Sequence, residues 1–158
     1  MIAEITQIEQ GYLATFDRKF PHEPEEIWLM LTDNQKIKQW FAGLQIEKQE
    51  KGSYLTVDMG QGNFEKLAIT EFEEKKRLGF EWGEDHVLFE LIPEDEETRL
   101  LLVETIPALT THTPKDLAGW HVCLDVLEAL LNKEEIERTQ EWKHWYPEYK
   151  RLVESMSV

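Results

Sequence analysis

Histidine and cysteine are the side chains in this sequence best suited to metal binding or nucleophilic chemistry, and their spacing favours neither. The five histidines are scattered along the chain: His22, His86, His112, His121 and His144. None stands at zinc-ligand spacing from another histidine or from the single cysteine, Cys123. His121 and Asp125 would share one face of a helix, but two ligands on one exposed face do not make a zinc site. The sequence therefore predicts no metal ion and no cofactor.

The motifs of nucleophilic catalysis give no candidate either. A Cys–His pair would need the Cys123 thiol to face its base in a cleft, whereas a lone cysteine in an apolar run is typical of a small buried residue. The sequence has no GxSxG, P-loop or GxGxxG motif, and "GQGNF" (60–64) predicts a hairpin turn. We therefore predict no catalytic residue and expect that the protein is not an enzyme.

Glu104 is the titratable residue with the most unusual predicted position. In the segment 98–106, alternation places it on the same face as Leu100, Leu102 and Ile106, which we assign to the interior. An ionised carboxylate there needs a partner or a wet cavity, or its pKa must rise. Two interpretations stay open: a structural carboxyl at a wet strand end or bonded to a nearby Trp or His, and a polar anchor for a ligand. A general base in a pocket is a third possibility.

The segment "AGWHVCLDVLEALL" (118–131) must lie beside Glu104 if it packs on the same interior. Read as a helix, it has one thin polar stripe, formed by His121, Asp125, Glu128 and the following Asn132. A surface helix normally hides an apolar stripe a little over 100° wide, and this one must hide more. The extra surface could be covered by a sheet, a helix, a second subunit or a ligand.

The remaining elements follow from periodicity and turn residues. Alternation predicts a first strand at 11–20, and Pro24 with two following acids starts a short helix at 24–33. Asp33 or Asn34 can cap a second short helix at 34–41. Turn residues then divide the chain into an antiparallel meander of about six strands, at 44–49, 53–59, 64–73, 77–82, 86–92 and 98–106.

Two helices are predicted to complete the chain. Thr113 or Thr111 can cap the long helix, which runs to about Asn132. The segment 133–156 repeats aromatic and apolar residues at steps of three and four, and predicts an amphipathic helix that is broken or kinked at Pro147. Its aromatic face is expected to cover part of 118–131.

The totals describe a folded chain with a strongly acidic surface. Its 158 residues fit one domain at 1–158, with 133–158 as a C-terminal helical extension. The net charge of −15 repels phosphate backbones and anionic lipid heads, so we expect no nucleic-acid partner. No apolar run approaches the roughly 20 residues that span a bilayer, and no secretory signal is evident. One cysteine allows no internal disulfide, and a cytoplasmic location is expected.

Four stretches, in this order, resemble a known family: "FPHEPEEIWLMLTDNQKIKQWF" (20–41), "FEW" (80–82), "TRLLLVE" (98–104) and "GWHVCLDVLEALL" (119–131). They resemble the activator-of-heat-shock-protein-90-ATPase homologues, which belong to the START-like (SRPBCC) helix-grip superfamily, and the likeness covers residues 11–155. The resemblance implies an α+β, helix-grip fold. In such a fold, a curved antiparallel sheet surrounds a long C-terminal helix, two short helices follow the first strand, and here an extra C-terminal helix is added.

The resemblance also implies a cavity between the sheet and the long helix, which we predict to bind a small hydrophobic or aromatic ligand, as a carrier or a stress-related sensor. The candidate ligand-binding residues are Trp40, Phe41, Phe80, Trp82, Phe89, Leu102, Glu104, Trp120 and Leu124. Aromatic residues make rigid apolar walls, but the same residues could simply pack the core. An unfilled apolar pocket of about 300 Å³ would cost roughly 7 kcal/mol, so either side chains or a ligand must occupy the space.

A protein-interaction or co-chaperone role is the alternative that the family name suggests, with a chaperone or other protein as partner. The two-domain activators of this family carry a further N-terminal domain with a basic, Trp-rich motif. Only about ten residues precede the first predicted strand here, so we do not expect ATPase stimulation. A monomer and a homodimer are both compatible with the sequence.

Overall fold

The computed structural model describes residues 2–156, which form an eight-stranded antiparallel sheet and four helices. The elements are β1 (Glu4–Ile8), β2 (Gly11–Phe20), α1 (Pro24–Thr32), α2 (Asn34–Trp40), β3 (Leu44–Ile46), β4 (Tyr54–Gly60), β5 (Asn63–Glu73), β6 (Arg77–Trp82), β7 (Asp85–Glu94), β8 (Glu97–Ile106), α3 (Thr113–Leu131) and α4 (Arg138–Met156). The strand order is β1-β2-β8-β7-β6-β5-β4-β3. The predicted α+β, helix-grip fold is confirmed.

The predicted strand faces are correct where alternation was clear. In β8, Leu100, Leu102, Glu104 and Ile106 are all buried, and β7 buries its own alternating set, which is Val87, Phe89 and Leu91. The two strands pair so that Phe89 lies opposite Leu102 and Val87 opposite Glu104. This inner face carries the core, and α3 packs against it with the buried side chains of Leu117, Trp120, Leu124 and Leu127.

Two details of the predicted elements are wrong, whereas the predicted cap of α2 is correct. The sheet gains the edge strand β1, so the two short helices follow the second strand rather than the first. Neither Thr111 nor Thr113 caps α3, because His112 holds the cap position without a side-chain cap bond, and the Thr113 hydroxyl accepts the Thr110 N–H at 2.9 Å. Asp33 does cap α2, where its carboxylate accepts the Gln35 N–H at 2.9 Å.

The tail helix begins at Arg138 rather than at residue 133, and it continues through Pro147 without a break. Proline leaves the carbonyl four residues earlier, that of Lys143, without an intrahelical donor. Because Pro147 and Lys143 are both exposed, water can bond to that carbonyl and the helix continues.

All four residues of the α3 polar stripe contact neighbouring elements, and Glu128 does so through Arg18 at 3.8 Å. Tyr149 of α4 accepts the Ala3 N–H at 2.9 Å, and its hydroxyl lies 2.6 Å from Nδ1 of His121, to which it can donate. Arg18 of β2 donates to Asp125 at 2.7 Å, and Asn132 lies 2.7 Å from His22. The sheet and α4 therefore cover the long helix from two sides, as its excess of apolar residues required. Within residues 2–156, no helix combines the length and the apolar character needed to cross a bilayer.

Candidate functional site

The predicted site residues lie together between the sheet and α3, where they largely fill the space. Seven of them are at most 2% exposed: Trp40, Phe80, Phe89, Leu102, Glu104, Trp120 and Leu124. The Trp120 ring is central, with its centroid 5.0 Å from Trp82, 5.7 Å from Phe41 and 5.9 Å from Phe89. Phe41 and Trp82 are only half-buried, and they mark the place where this cluster reaches the surface.

The opening beyond the aromatic cluster is a cleft of about 680 Å³, which we call the sheet cleft. Its floor is the inner face of β4 and β5, which presents Val57, Met59 and Leu67. Phe41 and Trp82 form one wall, and the turn between β6 and β7, the loop before α3 and the first turn of α3 form the rest. The sheet cleft therefore lies at the open end of the helix-grip fold, where the sheet and α3 diverge.

A second cleft of about 620 Å³, the helix cleft, adjoins the first and lies between the end of α2, α3 and the start of α4. The two clefts share the lining residues Phe41, Trp82, His112 and Asp116. Trp120 also lines the helix cleft, and its indole N–H is buried with no hydrogen-bond partner in the part of the chain that the structure describes.

Cys123 lines the helix cleft but is not a reactive thiol. Arg138 donates to its Sγ at 3.0 Å and to the Trp40 carbonyl at 2.9 Å. Burial raises the pKa of the Cys123 thiol to about 11, although the Arg138 guanidinium acts in the opposite direction. The thiol is therefore protonated at neutral pH, which fits the predicted role as a small buried residue.

Three carboxyl groups meet at the inner edge of the sheet cleft. One oxygen from each of Asp85, Glu104 and Asp116 lies within 4.8 Å of the others. Trp82 donates its indole N–H to Oδ1 of Asp116 at 2.8 Å. Both oxygens of Glu104 and Oδ2 of Asp116 are buried without a hydrogen-bond donor, and none of the three residues forms an ion pair within residues 2–156.

Burial has a large effect on the protonation of this carboxyl cluster. Burial first, and then the neighbouring Asp116 and Asp85 carboxyl groups, raise the pKa of Glu104 to about 12. The pKa of Asp85 is also raised, mainly by burial. Glu104 therefore holds a proton at neutral pH, and a protonated carboxyl is a hydrogen-bond donor rather than a general base. The geometry does not support the general-base hypothesis.

Sequence reasoning placed Glu104 in the interior but missed both of its neighbours. Asp85 falls between the strands predicted at 77–82 and 86–92, but β7 begins one residue earlier than predicted, and alternation from Val87 puts Asp85 on the inner face. Asp116 is an acid in the first turn of α3, a position typical of a favourable helix-terminus charge, but it also stands four residues before Trp120 and so faces the same side of the helix. The sequence contains both signals, which are the alternation from Val87 and the four-residue spacing between Asp116 and Trp120. The expectation of a Trp or His partner for Glu104 was wrong, because its neighbours are carboxyl groups.

Comparison with known proteins places this fold in a family. The sequence matches the family described as Activator of Hsp90 ATPase homolog 1-like protein over residues 21–132. The chain belongs to this family. The match includes α1, α2, the sheet from β3 to β8 and α3, and it therefore covers both clefts apart from the residues contributed by α4. A sequence comparison with curated proteins found no match.

Solved structures of similar proteins have the same architecture. A conserved protein of unknown function from Enterococcus faecalis, EF2215, is 26% identical, with a TM-score of 0.80 over 95% of this chain and 91% of its own. CalU16 from Micromonospora echinospora is 19% identical, with a TM-score of 0.74 over 97% of this chain and 99% of its own. The Aha1 dimer from Colwellia psychrerythraea is 17% identical, with a TM-score of 0.62 over 74% of this chain and 93% of its own. The latter two likenesses establish the fold alone.

Proposed function

We propose that the protein binds a small apolar or aromatic molecule in the sheet cleft. The observation that carries this proposal is the cleft itself, whose volume of about 680 Å³ lies in the range of small-molecule sites, roughly 300–1,000 Å³. Its lining combines aliphatic side chains, Val57 and Leu67, with the rings of Phe41 and Trp82. A planar ligand could lie against these rings in the offset or edge-on contacts that aromatic groups prefer.

In this proposal the predicted interior residues form the wall behind the ligand rather than the cavity itself. Trp40, Phe80 and Phe89 occupy the space between the sheet and α3 and hold Trp120 in place. Affinity would come from apolar burial at about 25 cal/mol per Å². A ligand that removes about 200 Å² of apolar surface from water gains roughly 5 kcal/mol before the costs of association are subtracted.

Ligand occupancy can be tested directly. We expect native mass spectrometry of freshly purified protein to show a co-purified small molecule, and a thermal-shift and tryptophan-fluorescence screen of lipids and planar aromatics to give binders. Phe41→Ala should weaken the binding of any such molecule at least tenfold, because it removes one wall of the cleft. Phe72→Ala is the matched control, since Phe72 packs on Trp28 and lines neither cleft. Equal losses in the two variants, or no binder at all, would contradict the proposal.

A protein-interaction role is the second candidate, and one surface feature favours it. The hairpin between β4 and β5 exposes Met59 and Phe64, which are 62% and 63% exposed. If this hairpin contacts an Hsp90-type chaperone, Phe64→Ser should abolish co-purification and any change in the chaperone's ATPase rate. Leu29→Ser, at an exposed leucine of α1, is the control. The absence of both co-purification and any effect on the ATPase rate would exclude this role.

A further inference from the structure

The sheet cleft has a charge pattern that its apolar wall does not explain. Four acidic residues line it: Glu65, Glu84, Asp85 and Asp116. His112 is the single basic side chain in the lining that the structure describes. A carboxylate-bearing ligand would be repelled here, and a neutral one would gain nothing from these charges.

Glu104 provides an independent observation at the same place. It does not line the cleft, but it is 0% exposed and lies behind Asp85 and Asp116, and within residues 2–156 its only polar neighbours are these two carboxyl groups. Packing does not account for a glutamate here, because its strand neighbours on the inner face, Leu102 and Ile106, are apolar. Carboxyl groups packed this closely repel one another when ionised, and a cationic ligand group bound to them would relieve that repulsion.

The spacing of the three carboxyl groups fits one small cation. Since their oxygens lie within 4.8 Å of one another, some point lies no more than about 2.8 Å from all three. That distance is typical of an N⁺–H···O⁻ hydrogen bond. A primary ammonium group has three N–H donors, which suffice for the Asp85 and Asp116 carboxylates and the carbonyl oxygen of the protonated Glu104, whereas a quaternary ammonium has none.

We infer that the ligand of the sheet cleft is a primary amine with an apolar or aromatic body. This inference rests on the proposed function and adds the chemical class of the ligand. The body lies against Phe41 and Trp82, and the ammonium group points inward to Asp85 and Asp116, with Glu104 behind them. Trp82 has a double role, because its ring faces the cleft and its N–H holds the Asp116 carboxylate in position.

Three probes that share one naphthyl body separate the two proposals. They are 2-(1-naphthyl)ethylamine, 2-(1-naphthyl)ethanol and 1-naphthylacetate, which are cationic, neutral and anionic at pH 7. Isothermal titration calorimetry of the wild-type protein should show that the amine binds at least tenfold more tightly than the alcohol, and that the carboxylate binds most weakly. This comparison needs no variant, so it stands even if a substituted cluster fails to fold.

Single substitutions then assign the preference to the cluster. Asp85→Asn and Asp116→Asn should each reduce the amine-to-alcohol affinity ratio at least fivefold while the alcohol affinity changes less than threefold. Glu81→Gln removes one negative charge from the opposite, exposed face of the neighbouring strand and should leave the ratio unchanged. An equal loss in Glu81→Gln would show that the preference reflects only the net charge of the protein.

The remaining outcomes distinguish the inferred amine preference from the proposed binding of an apolar or aromatic molecule. Equal affinities for amine and alcohol overturn the inference but leave the proposed function intact. A failure of all three probes to bind counts against both. Titration with CaCl₂, MgCl₂ and MnCl₂ tests the alternative of a metal ion. If one of these ions binds to the wild-type protein but not to Asp116→Asn, and the amine is not preferred, the inference is overturned in favour of a metal site.

Discussion

At the scale of single residues, Glu104 is the group whose environment departs most from that of an exposed side chain. In the unfolded chain its pKa returns to an ordinary value of about 4.3, whereas in the folded protein burial holds it at about 12. Above pH 4.3 the folded protein therefore binds one more proton than the unfolded chain, and its stability falls as the pH rises. The carboxyl is tolerated, but it does not stabilise the fold at neutral pH.

Glu104→Gln tests this conclusion, because the amide has the same shape and no proton to lose. Its side-chain NH₂ can also donate to the Asp85 or Asp116 carboxylate. We expect the variant to gain stability relative to the wild type as the pH rises from 5 to 8, by up to about 4 kcal/mol, since one bound proton corresponds to about 1.4 kcal/mol per pH unit. Urea unfolding at the two pH values measures the gain. Glu81→Gln, at an exposed acid, should show no such trend, and a flat difference for Glu104→Gln would mean that Glu104 is ionised in the fold.

At the scale of elements, Tyr149 joins three parts of the molecule that are distant in sequence. Its hydroxyl contacts the Ala3 N–H just before β1 and the ring of His121 in α3, and the residue itself belongs to α4. Trp145, one turn earlier in α4, packs against the same histidine with ring centroids 4.0 Å apart and the ring planes tilted by 33°. The tail helix is thus held by buried hydrogen bonds as well as by apolar contact.

Tyr149→Phe should lower the free energy of unfolding by about 2–4 kcal/mol. The substitution removes only the hydroxyl, so the Ala3 N–H and Nδ1 of His121 both lose a partner, at a cost of about 1–3 kcal/mol for each buried group. Tyr146→Phe is the matched control, because Tyr146 stacks on Trp142 and its hydroxyl makes no hydrogen bond within residues 2–156. Urea denaturation of the two variants measures the difference. A loss below about 0.5 kcal/mol in Tyr149→Phe, typical of surface substitutions, would show that these bonds do not form in solution.

Most elements could be predicted from the sequence because their signals are local. Proline and acids mark the start of α1, an aspartate caps α2, and the meander is divided by turn residues at short intervals. The edge strand β1 was missed because Glu4–Ile8 is short, half polar and nowhere fully buried, so its alternation carries little information. The predicted α3 cap is wrong because the Thr113 hydroxyl accepts a hydrogen bond from the preceding loop. Local capping propensity does not predict which backbone N–H that hydroxyl will bind.

At the scale of the whole molecule, the candidate site illustrates what local patterns cannot give. Asp85, Glu104 and Asp116 come from the start of β7, the end of β8 and the first turn of α3, and only the closure of the sheet on the helix brings their oxygens within 4.8 Å. The sequence predicted a cavity between the sheet and α3. The aromatic side chains fill most of that space, and the large clefts lie instead at the open end of the fold, where the sheet and α3 diverge. Single-residue patterns do not report side-chain packing of this kind.

Two buried groups, His121 and Glu104, change the stability of the fold in opposite directions as the pH rises. Burial, and then the nearby Arg18, lower the pKa of His121 to about 3 from an ordinary value of about 6.5. Between those values the unfolded chain binds the extra proton, so stability is lost as the pH falls below 6.5. Glu104 has the reverse effect above pH 4.3, and from 4.3 to 6.5 the two effects cancel. Stability should therefore be greatest in that window and fall by about 1.4 kcal/mol per pH unit on either side.

The alkaline side of this profile separates buried charge from the general repulsion of a chain with a net charge of −15. Salt screens exposed charges, with a Debye length of about 10 Å at 0.1 M and about 3 Å at 1 M, but screens buried groups much less. Urea unfolding should give a free energy about 3 kcal/mol lower at pH 8.5 than at pH 5.5, in both 0.05 M and 0.5 M NaCl. A decline that disappears in 0.5 M NaCl would assign the effect to surface repulsion and not to Glu104.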